Sequence, residues 1–113
     1  DVAPSRGLGD VYKRQLLHPA KGKADVIAVT NEFMGDFTMK FTLKSDLGEL
    51  AQLPVSVFLD NIHKMTVSVQ GTNGKWVEES RILNMEFGHN HYIKFYYGAD
   101  NLEIKEIVLI PNR

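Results

Sequence analysis

The 113-residue chain has no cysteine. That excludes disulfides, thiolate zinc sites and a cysteine nucleophile, and it leaves the cellular compartment open. No apolar run approaches the roughly 20 residues that a membrane-spanning helix needs, so no membrane partner is expected. No excess of one charge is present either: 13 Lys and Arg stand against 14 Asp and Glu. Without a basic surplus there is no electrostatic ground for a nucleic-acid partner. Sustained helical periodicity is also missing.

What is present is alternation with a period of two, the signature of half-buried strands. In Asp36–Leu43, Phe37, Met39, Phe41 and Leu43 point one way and Thr38, Lys40 and Thr42 the other. Pro54–Asp60 repeats this with Val55, Val57 and Leu59 inward, and His63–Gln70 with Met65, Val67 and Val69. Asp60-Asn61 supplies the turn of a hairpin between these two. Trp76–Phe87 is less regular, its inward series being Leu83, Met85 and Phe87. His91–Tyr97 turns Ile93, Phe95 and Tyr97 inward. In Leu102–Ile110 the pattern slips from Leu102 and Ile104 to Ile107 and Leu109, which predicts a bulge near Lys105-Glu106. Ala24–Thr30 is a further strand, followed by a turn at Asn31–Gly35. Leu47–Leu53 is expected to make one helical turn that Pro54 stops. Seven strands separated by turn signals predict an all-β fold, an antiparallel β-sandwich.

The stretch Ser5–Gln15, SRGLGDVYKRQ, resembles something other than a protein segment. One permitted codon spelling reproduces the read-two adapter of transposase-based sequencing libraries, through the mosaic end. Residues 1–15 are therefore expected to be adapter-derived and disordered, 16–23 a linker or remnant, and 24–113 the sandwich domain, cut from a larger gene and short of its first strand. Counted from Leu16, 10 Lys and Arg face 12 Asp and Glu, which strengthens the case against nucleic acid.

The order of features resembles the jelly-roll carbohydrate-binding modules of glycoside hydrolases, in the branch of the xylan- and galactan-binding modules. Asp25–Ser45 follows that group's strand, glycine turn and next strand. PVSVFLDN (Pro54–Asn61) matches its hairpin, GTNGKWVEES (Gly71–Ser80) its T-G-x-W turn, NMEFGHNHYIKFYYG (Asn84–Gly98) the next strand, and NLEIKEIVL (Asn101–Leu109) its last motif, G-F-N-I-D-x-I-x-L. The resemblance spans about residues 24–111. It implies a secreted or cell-surface, non-catalytic accessory domain that binds a polysaccharide or oligosaccharide and adjoins a catalytic domain. Two departures stand out. Glu103 occupies the place of a sugar-binding Asn, and Lys105 that of an Asp near a structural calcium. Lysine cannot ligate a cation, so no cofactor is expected and calcium is doubtful.

Sugars present C–H faces to aromatic rings and hydroxyls to polar edges. The expected carbohydrate-binding residues are therefore Trp76, Tyr97, Asp100, Asn101 and Glu103. Against this stand blander readings: alternation turns Tyr97 inward, and Trp76 could as readily cap the core. Phe33 and Met34, in a turn, either lie exposed or cover the end of the core. The outward row Tyr92, Lys94 and Tyr96 reads as a solvated face rather than a second binding surface. His89 and His91 resemble a chelating H-x-H, yet neither they nor His18 and His63 have a partner at ligand spacing. Glu78 and Glu79, with Glu86 nearby, do not make a hydrolytic pair, because adjacent strand residues face opposite ways. The alternative function is a purely structural sandwich packed against a catalytic domain. Burial of Trp76 and Asn101 would favour it.

Overall fold

The computed structural model describes the main chain of residues 12–14 and, in full, residues 19–29, 35–85 and 90–112. Eight strands run in chain order: β1 Tyr12–Arg14, β2 Ala24–Val29, β3 Asp36–Lys44, β4 Gln52–Leu59, β5 Ile62–Gln70, β6 Val77–Asn84, β7 His91–Tyr97 and β8 Glu103–Pro111. They form two four-stranded antiparallel sheets, ordered β1-β8-β3-β6 and β2-β7-β4-β5, with no helix among the described residues. The expected sandwich is the observed one.

The core lies where the alternation places it. Phe37, Met39, Phe41 and Leu43 of β3 are each at most 1% exposed, and so are Ile93, Phe95 and Tyr97 of β7. Phe41 and Phe95 meet across the two sheets edge to face, ring centres 5.8 Å apart, the arrangement the ring quadrupole prefers. Buried aliphatic and aromatic side chains contribute roughly 1.5–3 kcal/mol each, so this shared layer is what holds the sheets together.

The hairpin is as expected. Asp60 and Asn61 have φ of 52° and 69°, the doubly left-handed two-residue turn whose twist suits paired strands. The bulge is there too. Leu43 pairs with Ile104 and Thr42 with Glu106, leaving Lys105 as the extra residue. On the edge strand β6, Glu79 and Arg81 point inward and pair with each other at 3.3 Å, a charge pattern that discourages edge-to-edge association.

Two expectations are corrected. Leu47–Leu53 makes no helical turn: β4 begins at Gln52, and Pro54 lies within it. Proline is tolerated there because Pro54 precedes the part of β4 that pairs with β7, which starts at Val55. Its carbonyl still accepts the Gly98 N–H at 2.9 Å, and no donor is required on that side. Tyr12–Arg14, inside the stretch expected to be disordered, pair antiparallel with Ile107–Leu109. An open strand edge presents main-chain donors and acceptors to any extended segment, so this pairing needs no particular side chains. The remaining residues of that stretch, and Phe33, Met34, Glu86, His89 and His18, lie outside the described residues.

Candidate carbohydrate-binding rim

One end of the sandwich gathers the segment 19–23 and the loops 45–51, 71–76 and 98–102. The loops 45–51 and 71–76 are fixed against each other. Ser45, 2% exposed, receives the Thr72 hydroxyl at its carbonyl (2.9 Å), while its N–H donates to Thr72 Oγ1 (2.9 Å). The Gly74 and Asn73 N–H groups donate to the Ser45 and Leu47 carbonyls at 2.8 and 2.9 Å. Gly71 is required here, since a β-carbon on it would lie 2.1 Å from the Gly48 carbonyl oxygen. These bonds satisfy the loop main chain internally and leave Leu50 at the tip, 93% exposed. A shallow groove of about 650 Å³ runs past Leu47, Leu50 and Asn73. A smaller one of about 250 Å³ holds Glu49, Thr72 and Glu79, and Glu79 is the carboxylate that Arg81 holds.

Trp76 is 44% exposed, immediately before β6. The sequence left open whether it caps the core; it does not. Its position follows from register. Leu43 of β3 pairs with Val77 of β6, so Trp76 falls one step beyond, level with Lys44 on the outer side of the sheet. The Lys44 ammonium stands 5.0 Å from the ring centre, and that of Lys105 5.4 Å. Each contact stabilises by about 0.5–1 kcal/mol at an exposed site. Glu103 pairs in register with Lys44, its carboxylate 3.8 Å from the ammonium and 63% exposed. A row of Trp76, Lys44 and Glu103 thus crosses three strands, and Lys105 reaches it from the bulge.

Asp100 and Asn101 are exposed in the loop 98–102. Asp100 Oδ1 accepts the Lys21 N–H at 3.0 Å, tying that loop to segment 19–23. Asn101 takes a left-handed φ of 64°, which asparagine tolerates better than most residues. Its side chain is at the surface.

Tyr97 is corrected. It is 0% exposed, so its ring offers no face to a ligand. Its hydroxyl donates to Asp25 Oδ2 at 2.7 Å, and its main chain bonds Gly22 and Lys23 at 2.9 Å. It stands beneath the rim and fastens segment 19–23 in place. Burial, the Asp25 hydrogen bond and the Asp25 charge, in that order, push its phenol well above the ordinary tyrosine range.

Lys44 is the residue that sequence reading passed over: its alternation with Leu43 puts it on the outer face, but its register with Glu103 becomes visible only in the folded sheet. No group of three or more His, Cys, Asp or Glu able to hold a metal occurs among the described residues. Glu78 and Glu79 face opposite ways, as expected for neighbours on a strand.

No family sequence model matches the chain, and no curated protein matches it in sequence. Solved structures do match in fold. A β-glucosidase from Paenibacillus barengoltzii is 22% identical, with a TM-score of 0.68 over 89% of this chain, which spans 10% of that enzyme. A family 35 carbohydrate-binding module from Clostridium thermocellum is 13% identical, with a TM-score of 0.67 over 89% of this chain and 90% of the module. The C-terminal family 6 module of a marine laminarinase from Zobellia galactanivorans is 15% identical, with a TM-score of 0.69 over 88% and 91%. The chain therefore has the jelly-roll fold of such modules.

Proposed function

We propose that the chain is a non-catalytic, carbohydrate-binding accessory domain of a larger, secreted glycoside hydrolase, binding glycan at the rim built around Trp76. The observation that carries this is the exposure of Trp76. A folded domain gains by burying its only tryptophan, yet this ring stands outside the core among charged and hydrogen-bonding side chains. A ring face stacks on sugar C–H groups, while Glu103 and Asn101 offer acceptors and an amide to hydroxyls. Such a rim holds a polymer near a neighbouring active site, and the similar fold of modules and domains in enzymes that act on polysaccharides supports that role. The ion-paired Glu79 supports the non-catalytic part of the reading, since its charge is already taken up by Arg81.

Affinity electrophoresis in gels containing xylan, galactan, pectin or β-glucan tests the proposal. At least one polymer should retard the chain, and Trp76→Ala should abolish the retardation while costing about 1–2 kcal/mol of stability, the worth of the two ammonium contacts, with the fold retained. Unchanged migration in all four gels would sink it.

The structural alternative draws on a different surface. On the outer face of the second sheet, Val26 is 54%, Tyr92 58% and Tyr96 43% exposed, and Phe58 carries the Lys94 ammonium 4.7 Å from its ring. This face has the aromatic composition of a protein interface. If docking is its role, Tyr92→Asp should release a co-expressed catalytic neighbour without altering migration in the glycan gels.

A further inference from the structure

Asn73 and Gly74 are exposed in the loop 71–76, both with left-handed φ, 55° and 81°. The Lys75 N–H donates to the Thr72 carbonyl at 3.1 Å and closes a two-residue turn around them. We infer that Asn73 is a spontaneous modification site, an asparagine that deamidates through its glycine neighbour when the loop opens and is held off while the loop stays laced. The inference stands apart from the glycan-binding reading.

The chemistry follows from the residue pair. Asparagine is thermolabile, and glycine leaves the nitrogen that follows it in the main chain unhindered by any side chain. In the step, the Gly74 nitrogen gives its proton to solvent base and bonds to Asn73 Cγ. The Cγ–Nδ2 bond breaks, and Nδ2 takes a proton from water and leaves as ammonia. The resulting five-membered imide takes up one water at either carbonyl. One opening gives aspartate. The other gives isoaspartate, in which the main chain runs through Cβ and Cγ.

Three observations put this step under the control of the fold. The attacking nitrogen is engaged: the Gly74 N–H donates to the Ser45 carbonyl at 2.8 Å, and Ser45 is 2% exposed. Gly74 must leave that partner before its nitrogen can lose the proton or swing to Cγ, and leaving removes a bond from a buried acceptor. The second observation is the double grip of Thr72, whose Oγ1 bonds both the N–H and the carbonyl of Ser45 at 2.9 Å. The two loops therefore part together. The third is that conversion resists reclosure. Asn73 lines the small groove with Glu49 and Glu79, so a carboxylate at this position joins two others. Isoaspartate adds a carbon to the main chain of a turn that the lacing fits closely. Trp76 follows directly on this turn, so the altered loop is the one that carries the exposed ring.

The test incubates the intact chain in mildly alkaline buffer at physiological temperature, folded and in guanidinium chloride. Conversion at Asn73 is read by peptide mapping and by enzymatic methylation of isoaspartate. The denatured chain should convert at least about tenfold faster than the folded one. Thr72→Val keeps the side-chain shape without the hydroxyl and should speed conversion in the folded chain about tenfold. Hydrogen exchange at the Gly74 amide needs no variant, and it should be at least about tenfold slower than in the unfolded chain. Absence of conversion in the denatured chain overturns the site itself. Equal rates in the folded and denatured chain, or unprotected exchange at Gly74, overturn the control by the fold. A folded Thr72→Val chain that converts at the wild-type rate overturns the part given to Thr72.

Discussion

Each end of the sandwich pairs a carboxylate with a side-chain nitrogen, and the two pairs do different work. At the hairpin end, His91 is 1% exposed and its Nδ1 donates to Asp60 Oδ2. Asp60 Oδ1 takes the Tyr92 N–H at 2.9 Å, and the Asp60 N–H donates to the Tyr92 carbonyl at 2.8 Å. The carboxylate thus clamps the β4–β5 turn to β7. At the rim end, Glu103 stands mostly in solvent, 3.8 Å from the ammonium of the half-buried Lys44, and the pair clamps no turn. Asp and His, commonly taken as catalytic, are here structural; Lys and Glu, commonly dismissed as surface, border the exposed ring. Burial decides the role rather than residue type.

That contrast is open to attack by mutation. Asp60→Ala strips His91 and the Tyr92 N–H of their acceptor inside the fold and should cost about 2–4 kcal/mol in urea unfolding. Lys44→Gln should cost less than about 1 kcal/mol, as exposed pairs do. Equal losses would erase the distinction between the ends. Tyr97→Phe sharpens it by asking whether a buried pair beneath the rim behaves like the one at the hairpin. Loss of the bond to Asp25 should cost about 1 kcal/mol at neutral pH. The sign with pH follows from the raised phenol. The unfolded chain releases this proton near pH 10, before the folded chain does. The contribution is therefore whole below that point and declines as pH rises above it. Wild type and variant should converge in stability in alkali; a constant difference would contradict the assignment. The smallest effect is expected at β1. Its few main-chain bonds gain about 0.5–1.5 kcal/mol each, and ordering each residue costs about 1–2 kcal/mol. Deleting residues 1–15 should move the thermal midpoint by no more than about 2 °C, read by scanning calorimetry.

Most of the fold was legible because burial on one face of a strand imposes alternation directly on the sequence. The inward series of β3, β4, β7 and β8, the Asp60-Asn61 turn and the slip at Lys105 could all be read that way. Pro54 is expected to open its strand, and β4 in fact begins two residues earlier, at Gln52, where the expected helical turn left no room for it. Tyr12–Arg14 could not be foreseen, since main-chain pairing at an edge leaves no pattern in side chains. At the rim, Trp76, Asp100, Asn101 and Glu103 are exposed, as contact with a ligand requires, while Tyr97 obeyed its alternation and is buried. The Lys44–Trp76–Lys105 contacts depend on cross-strand register, and strand order is invisible to a one-dimensional pattern. The clamp of His91 by Asp60 joins residues 31 apart in sequence and was hidden for the same reason.

The mutual lacing of Ser45, Thr72 and Asn73 has a practical corollary. Because main-chain bonds rather than its apex side chain maintain the shape of segment 45–51, Leu50 is replaceable at will. A grafted tyrosine, arginine or short peptide at that tip would be displayed on a frame already set. Selectivity could then be retuned one residue at a time without reopening the question of whether the domain folds.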